Sequence, residues 1–425
     1  MENDLFLNNV KNYNKKNPVR FHMPGHKGLP VADYQQNLLP YDLTELCDTD
    51  NLYDPEPDGG IRQMMEFAKQ IYGTANTIFS AGGATLCIQT AIMSVVRKYG
   101  KRIICDRRCH KSVINAIILC DAEPIWIDVN HVTGLPSAAA MIITSPDYYG
   151  VMFDVKRISE LCHANGTILI CDNAHGSHLA YHGSGELHPY KNGADIVIDS
   201  LHKTLPALTG AALLHTNDCV SEDILLSSLR LFASTSPSYL ISMSICACIN
   251  YMCGKGTDKL YHEITECKLK LANLGYNIIT GEYYDPFRLC IGLSNAAELY
   301  NYLYDNDVVC EFYDNNHVII IPSVMNTEDD FEKFTRVCET FTPIKSNPAD
   351  YKIYIPNQVI SAREAILSPY RTADTENAAD EICAETIAPY PPGIPLIIPG
   401  EQFDGYIITQ LKSYGYKNVK IIGER

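Results

Sequence analysis

The sequence lacks long hydrophobic runs, clusters of basic residues and the usual zinc-binding motifs. No apolar stretch approaches the roughly 20 residues that a membrane helix needs, and the opening segment Met1–Asp4 carries acids where a signal peptide has lysines. No run of lysine or arginine is longer than a pair, which disfavours binding to a phosphate backbone. Neither Cys-x-x-Cys nor His-Glu-x-x-His occurs. We therefore expect a cytoplasmic protein that binds no membrane, nucleic acid or metal ion.

The remaining composition is that of a folded protein with a substantial core. The chain has 425 residues, of which 46% are hydrophobic and 20% charged, enough for one or two domains. Its 34 basic and 50 acidic residues give a formal net charge of −16, which would favour a cationic small molecule, although solubility is the more ordinary explanation. Several of the 16 cysteines, such as Cys105 and Cys171, lie in apolar runs and are expected to be buried thiols.

Short apolar runs alternate with helix-patterned segments between about residues 60 and 216. This alternation predicts a mostly parallel sheet covered by helices. The predicted strands are 102–106, 124–129, 141–145, 167–172, 195–199 and 211–215. Polar residues follow several of these runs, and ligands of such sheets bind at the carboxyl ends of the strands. The sequence therefore places a binding cleft at these strand ends.

The pattern of proline, glycine and apolar residues divides the chain into four parts. Residues 1–45 are polar and then rich in Pro and Gly, which predicts an irregular arm rather than a helix. We expect a large domain over 46–253, in which 220–253 is helical, and a smaller α/β domain over 254–345. Residues 346–425 form a C-terminal region with a Pro-rich, extended turn.

Two strand ends carry residues suited to an aldehyde cofactor. Lys203 follows an apolar strand, and a lysine at the opening of an α/β cleft can hold such a cofactor as a Schiff base. Asp172 ends another strand, where a carboxylate can keep a pyridine nitrogen protonated. Alone, Lys203 could be a surface residue and Asp172 a helix N-cap. The pair at successive strand ends favours a cofactor site.

Two further segments could contact the same cofactor. Gly82 and Gly83 open a helix-patterned segment whose backbone amides, with the Thr85 hydroxyl, could bind a phosphate. His110 follows the strand that ends at Asp106, and it could stack on a planar ring and exchange protons with a substrate carbon. A Gly-Gly turn is weak evidence by itself, and a lone histidine is more often a cap or core residue.

With these pieces in order, the chain resembles the Orn/Lys/Arg decarboxylase family of fold type I pyridoxal-phosphate (PLP) enzymes. The resemblance is carried by seven segments, numbered 21–28, 109–112, 144–150, 172–178, 200–209, 234–239 and 384–401, the last containing Tyr-Pro-Pro-Gly-Ile-Pro. It implies an aspartate aminotransferase-like large domain with a mostly parallel seven-stranded sheet, and a smaller C-terminal α/β region. It also implies decarboxylation of arginine, lysine or ornithine to the corresponding amine, in polyamine-related metabolism.

The resemblance assigns roles to individual residues. Lys203 would carry PLP, Asp172 would pair with the ring nitrogen, and His110 and Ala174 would lie on opposite faces of the ring. The segment around Ser234 and Thr235 would reach the phosphate bound by a neighbouring subunit, which implies a homodimer with shared active sites and allows a higher oligomer. The phosphate site implied within the chain consists of Gly83, Ala84, Thr85, Ser200 and His202.

Three features depart from the common family pattern. Asn173 stands where the family usually has a glutamate, although the acid at Asp172 is retained. The phosphate loop at 83–85 has one hydroxyl fewer, so that backbone amides must make more of the contact. The chain resembles the short biosynthetic type without an N-terminal wing domain, so the resemblance does not imply a decamer.

The substrate and the reaction remain open at this stage. A distal ammonium or guanidinium needs a carboxylate, for which Glu385, Asp48 and Asp50 are candidates; each could equally be a solvated surface acid. By resemblance, His26 would lie at the entrance, with Lys27 beside it. Nothing in the chain separates arginine from lysine or ornithine.

Two other functions are compatible with the same residues. An aminotransferase or lyase of this fold would need an arginine that binds the α-carboxylate, for which Arg288 is the candidate. A non-catalytic protein of the PLP fold is suggested by the altered positions 173 and 83–85, but Lys203, Asp172 and His110 argue against it. Release of carbon dioxide separates a decarboxylase from the first alternative, and an absorption band on adding PLP separates an enzyme from the second.

Overall fold

The computed structural model describes residues 5–20, 22–45, 50–345, 353–389 and 393–423. Three parts of the sequence predictions lie outside these ranges: Phe21 of the first family segment, the candidate acid Asp48, and the turn residues 390–392. Among the helices of the described ranges, none is long and apolar enough to span a bilayer.

A mixed sheet of seven strands forms the centre of the described fold. The strands are β1 Asn76–Ser80, β2 Arg102–Asp106, β3 Glu123–Ile127, β4 Ala140–Thr144, β5 Ile168–Asp172, β6 Ile196–Asp199 and β7 Ala212–Thr216. Their order is β1-β7-β6-β5-β4-β2-β3. Strand β2 runs parallel to β3 and β4, whereas β7 runs antiparallel to β1 and β6.

The prediction of a mostly parallel, seven-stranded α/β fold is confirmed. All six strands predicted from apolar runs are present within two residues of the predicted bounds. Strand β1 was not predicted, because its sequence Asn-Thr-Ile-Phe-Ser has no long apolar run. Its Thr77 is nevertheless buried, since the hydroxyl pairs with His215 Nδ1 of the neighbouring strand at 2.9 Å.

Helices connect the strands and cover the sheet. The remaining short strands are β8 Asn277–Ile278, β9 Leu289–Gly292, β10 Phe312–Tyr313, β11 His317–Ile320, β12 Tyr370–Asp374 and β13 Asn418–Ile422. The helices are α1 Leu5–Lys15, α2 Gly60–Tyr72, α3 Gly83–Tyr99, α4 Lys111–Leu119, α5 Val155–Ala164, α6 Leu201–Thr204, α7 Glu222–Leu229, α8 Tyr239–Lys255, α9 Asp258–Asn273, α10 Ala296–Asp305, α11 Glu328–Glu339, α12 Ala362–Leu367 and α13 Gly405–Ser413.

The N-terminal arm contains a helix, so the prediction of a wholly irregular arm was wrong. Helix α1 buries Phe6, Val10 and Tyr13, which lie on one face at intervals of four and three residues. Phe6 packs against the ring of Tyr239, with the ring centroids 5.5 Å apart. The Asn- and Lys-rich composition hid this apolar stripe, whose burial stabilises the helix more than intrinsic propensity does.

The region 220–253, which the sequence predicts to be helical, contains two helices. Helix α7 ends at Leu229, and α8 begins after Ser238, whose hydroxyl accepts from the Ile241 amide at the helix N-terminus. Pro237 in the intervening segment cannot donate a backbone hydrogen bond, which favours the break. The segment between the two helices carries the predicted residues Ser234 and Thr235.

Contacts within the chain define two compact units. One comprises Met1–Cys87, Ser145–Lys156 and Asp172–Ala349, and the other comprises Ile88–Thr144, Arg157–Cys171 and Asp350–Arg425. The first unit includes a four-stranded antiparallel sheet in the order β10-β11-β9-β8, with α9, α10 and α11 packed around an apolar core that includes Leu289, Val318 and Phe334.

The second unit includes the C-terminal region. There β12 and β13 form an antiparallel pair, and α13 packs through Ile407 and Leu411 into a core shared with Val419 and Ile421. Within this unit Arg107 donates to Glu401 at 2.8 Å, and the two side chains are almost completely buried. Glu401 also accepts from the Ile398 amide, which fixes the chain after the Pro-rich segment.

Candidate active site

Lys203 lies at the centre of the candidate site, in the short helix α6 that follows β6. Its amine Nζ lies 2.9 Å from Nε2 of His175. Burial lowers the pKa of Lys203; nearby Asp172 and Glu311 oppose this shift, and Arg288 adds to it. A lowered pKa increases the fraction of neutral amine, which is the nucleophilic form.

Asp172 ends β5 and is 2% exposed. The backbone amide of Ala174 donates to its Oδ1 at 3.2 Å, and Ala174 itself is buried. Burial raises the pKa of Asp172, although Lys203 and the Ala174 amide act in the opposite direction. A cationic partner would favour the charged carboxylate and so lower this pKa. The structure thus places Asp172, Ala174 and Lys203 in one compact unit.

His175 belongs to the family segment 172–178, but the sequence analysis gave it no role. Besides its contact with Lys203, its ring packs edge-on against Tyr148, with the centroids 4.8 Å apart. The Tyr148 hydroxyl in turn donates to Glu311 Oε1. The only sequence signal for His175 was its place three residues after Asp172. Its contacts with Lys203 and Tyr148 required the structure.

A second buried acid, Asp199, was also missed as a site residue. It ends β6 and accepts from Asn173 Nδ2, while Nε2 of His188 and of His215 lie 3.0 and 3.2 Å from its Oδ2. Burial alone would raise the pKa of Asp199, but the two histidines outweigh it and hold the pKa well below its usual range. An acid in an otherwise apolar strand was the available signal. Asn173 therefore links the Asp172 turn to a buried charge.

The start of α3 and the strand before it form a second part of the site. Gly83 has φ +69, which favours glycine, and a Cβ built on it would meet open space. Its amide donates to the Gly210 carbonyl at 2.8 Å, while the Gly210 amide lies 3.3 Å from His202 Nδ1. The first-turn amides at Ala84 and Thr85 have no acceptor within an ideal helix.

Ser200 and His202 complete this part of the site. The Ser200 hydroxyl lies 3.3 Å from His202 Nδ1, and Ser200 is buried. Burial lowers the pKa of His202, so the imidazole is neutral near neutral pH. Gly210 brings His202 to the same place as the start of α3, where the sequence predicted the phosphate site.

Arg288 is 1% exposed and was predicted as a possible substrate ligand. Its Nη2 donates to the His175 carbonyl at 3.3 Å, and its Nε lies 3.9 Å from Asp285 Oδ2. Nη1 and Nε have no hydrogen-bond partner within the described ranges. Buried guanidinium nitrogens normally have partners, so this one is suited to bind a carboxylate or another acceptor.

His110 and Glu385 belong to the second unit. His110 is the N-cap of α4, and its Nδ1 accepts from the Ser112 amide at 3.2 Å, which leaves a ring proton on Nε2. Glu385 accepts from the Lys420 amide at 2.9 Å and lies 3.6 Å from the Lys420 ammonium. This pairing gives Glu385 a structural partner within its own unit.

The other predicted residues have structural partners or are exposed. Asp50 is buried, and its carboxylate accepts from the amides of Asn51, Glu56 and Ile61, so it stabilises the loop before α2. His26 accepts from the Gly28 amide and lies 3.2 Å from Asp42. Ser234 and Thr235 are exposed on this chain. No cluster of three or more possible metal ligands occurs among the described side chains.

The seven-stranded sheet and the helices around it have the fold of fold type I PLP-dependent enzymes. A serine palmitoyltransferase of Sphingomonas wittichii superposes on 66% of this chain and 75% of its own, with a TM-score of 0.56 and 16% identity. A second structure, of SPT with PLP, matches 65% of this chain and 75% of its own, with a TM-score of 0.54 and 14% identity.

The chain belongs to the Orn/Lys/Arg decarboxylase family and is a decarboxylase of basic amino acids. The major domain of the family matches residues 5–134 and 129–274, and its C-terminal domain matches 356–418. An arginine decarboxylase of Halalkalibacterium halodurans is 29% identical over 91% of this chain and 88% of its own. An arginine decarboxylase of Bacillus subtilis is 29% identical over 96% of this chain and 92% of its own. A lysine decarboxylase of Francisella novicida has a TM-score of 0.81 and 17% identity over 99% of this chain and 81% of its own.

Proposed function

We propose that this chain uses PLP to decarboxylate arginine, with lysine and ornithine as the alternative substrates. The proposal rests on one observation above all: a buried acid, Asp172, lies within electrostatic reach of the partly buried amine of Lys203 at successive strand ends. The preference for arginine rests on the arginine decarboxylases to which the chain is similar over most of its length.

The residues present fit PLP. An amine with a lowered pKa can bind the aldehyde, and a buried acid can bind the ring nitrogen. The space next to Gly83 is open, so a phosphate could lie there. The backbone amides at the start of α3 and the neutral imidazole of His202 could donate hydrogen bonds to it. When bound, PLP supplies an electron-withdrawing ring that accepts the electrons of the bond to the leaving carboxylate.

The chain's own residues would hold the substrate and move its protons. Asp172 would keep a positive charge on the ring nitrogen, and Ala174 and His110 would bound the two ring faces. Arg288, with Nη1 directed to no other group of the described chain, would orient the substrate carboxylate. Lys203 Nζ would give the proton that replaces the carboxylate on the α-carbon, and His175 Nε2, at 2.9 Å, would exchange protons with that amine. His110 Nε2 is the alternative donor.

The buried guanidinium of Arg288 is the one observation that favours an aminotransferase-like reaction, since such enzymes need a carboxylate ligand. Membership of the decarboxylase family favours loss of carbon dioxide over transamination. The two reactions differ in which bond to the α-carbon breaks, so the orientation imposed by Arg288 would decide between them.

We further propose a homodimer in the cytoplasm, whose amine product enters polyamine-related metabolism. The exposed Ser234 and Thr235 support the dimer, because their hydroxyls could contact the phosphate site of a second copy. His26 and Glu385 are retained as candidate substrate residues, although both have partners in this chain.

The experiment is an assay of the purified, PLP-loaded protein with arginine, lysine and ornithine in turn. Mass spectrometry should identify the amine from one of the three, with an equal amount of carbon dioxide. Lys203→Ala should lose both turnover and the absorbance that PLP gains on binding the enzyme. Retained turnover in Lys203→Ala, or a keto acid in place of the amine, would contradict the proposal.

A further inference from the structure

A surface carboxylate, that of Glu311, is connected to the amine of Lys203 by three successive side-chain contacts. Lys203 Nζ lies 2.9 Å from His175 Nε2, the His175 and Tyr148 rings pack edge-on with centroids 4.8 Å apart, and the Tyr148 hydroxyl donates to Glu311 Oε1. All four residues belong to one compact unit. Two aromatic side chains therefore connect Glu311 to the reactive amine, and its charge acts on that of Lys203.

The neighbouring acids differ from Glu311 because they accept several hydrogen bonds or are buried. Asp314 accepts from the Tyr149 hydroxyl at 2.9 Å and from two backbone amides. Asp285 is fully buried and lies 3.0 Å from His178 Nε2. Asp147 accepts from three backbone amides of its own turn. Glu311 is solvent-exposed and is held by the Tyr148 hydroxyl. Its carboxylate is thus placed to receive a cation from solution.

The charges around Lys203 are complementary to those of a basic amino acid. The guanidinium of Arg288 and the carboxylate of Glu311 both act on the charge of Lys203, with opposite signs. A basic amino acid attached at this point carries an α-carboxylate and a distal cation. Arg288 would take the carboxylate, which leaves an acid to be found for the cation. Glu385 and Asp50, the acids suggested by sequence, are paired with Lys420 and with backbone amides.

We propose that Glu311 is the carboxylate that recognises the distal ammonium or guanidinium of the substrate, and that Tyr148 positions it. This inference rests on the proposed function, since it concerns the substrate of that site. Glu311 forms an ion pair with the side chain, while the Tyr148 hydroxyl limits the rotamers of the carboxylate. Planar guanidinium can make two hydrogen bonds to one carboxylate, whereas ammonium binds as a point charge. This geometry favours arginine over lysine.

The test compares arginine with citrulline, in which a neutral urea group replaces the guanidinium. In the PLP-loaded enzyme, Glu311→Gln should reduce the preference for arginine over citrulline by about 10- to 100-fold, mainly through KM, because a charge-assisted contact is lost. Tyr148→Phe should change the preference in the same direction by a smaller factor. Glu339→Gln, an exposed acid at the end of α11, is the matched control and should leave the preference unchanged.

The affinities of arginine and citrulline are also measured from the change in PLP absorbance, without turnover. If wild type decarboxylates none of the basic amino acids, the proposed function fails, but the binding preference still tests Glu311. An unchanged preference in Glu311→Gln overturns the inference. So does an equal loss for both ligands together with an altered PLP spectrum, because Glu311 would then act on Lys203 rather than on the side chain.

Discussion

Replacing Asp172 by asparagine tests the electrostatic basis of the site. Asp172 is 2% exposed, so its carboxylate is shielded from water, and a charged hydrogen bond to a ring nitrogen there is worth about 1.5–3 kcal/mol. Asp172→Asn should therefore weaken PLP binding by roughly 10- to 150-fold. It should lower turnover by a larger factor, because an unprotonated ring withdraws electrons poorly.

The pH dependence of this effect has a definite sign. Burial raises the pKa of Asp172 in the chain without cofactor, and the cationic ring nitrogen lowers it on binding. PLP binding therefore releases a proton, so that affinity is full above the raised pKa and is lost as pH falls through it. The amine of Lys203 must also be neutral to bind the aldehyde, so it makes PLP affinity rise with pH in both wild type and Asp172→Asn. Titrating PLP by absorbance at several pH values should show a smaller pH dependence in Asp172→Asn.

Asp172→Glu is the companion variant, since it keeps the charge and moves it by one methylene. It should retain more affinity than Asp172→Asn. Equal affinity and turnover in wild type and Asp172→Asn would refute the role of the carboxylate.

Three further predictions concern stability and assembly. Phe6→Ala should lower the free energy of unfolding by about 3–5 kcal/mol through the cavity left in the core, measured by urea denaturation, whereas the exposed control Lys11→Ala should have little effect. Burial raises the pKa of Glu401 from 4.5 to about 7, so the native state binds the carboxyl proton more tightly than the unfolded chain does. The free energy of unfolding should therefore fall by about 3 kcal/mol as the pH rises from 4.5 to 7. Glu401→Gln should remove this decline in thermal scans from pH 5 to 8. Thr235→Ala should weaken PLP binding in the proposed dimer and leave the mass from light scattering unchanged. In a mixed dimer of the Thr235→Ala chain with the Lys203→Ala chain, the remaining Lys203 would share its phosphate site with an intact Thr235, so PLP binding that is still weakened there would exclude a shared phosphate site.

Site residues whose position is set by the end of a single strand could be predicted from the sequence. Lys203 and Asp172 follow apolar runs, and the rule that ligands bind at the carboxyl ends of parallel strands places both at one edge. The fold followed from the same runs. Strand β1 was missed because Ile78 and Phe79 are its only apolar residues, and the burial of its polar Thr77 involves a hydrogen bond to another strand that leaves no apolar pattern in the sequence.

Site residues whose contacts involve several secondary-structure elements could not be predicted in this way. Tyr148 contacts both His175 and Glu311, which lie in different segments of the chain. Nothing in the local sequence of any of these segments specifies the two contacts. Asp50 was a candidate because a distal cation needs a carboxylate, but an acid that accepts from three amides looks no different in sequence from one that faces a ligand. Only the positions of the donors separate the two.

The ion pair of Arg107 and Glu401 has a consequence for the order in which the protein can mature. The two residues are 294 positions apart, and Arg107 lies three residues before His110, in the loop that presents it. During synthesis the guanidinium leaves the ribosome long before its counter-ion does. We expect this loop to reach its native form only when the last part of the chain has been released, because a guanidinium is not stably buried alone. A ribosome-bound chain that ends before residue 401 should therefore expose the loop to proteases.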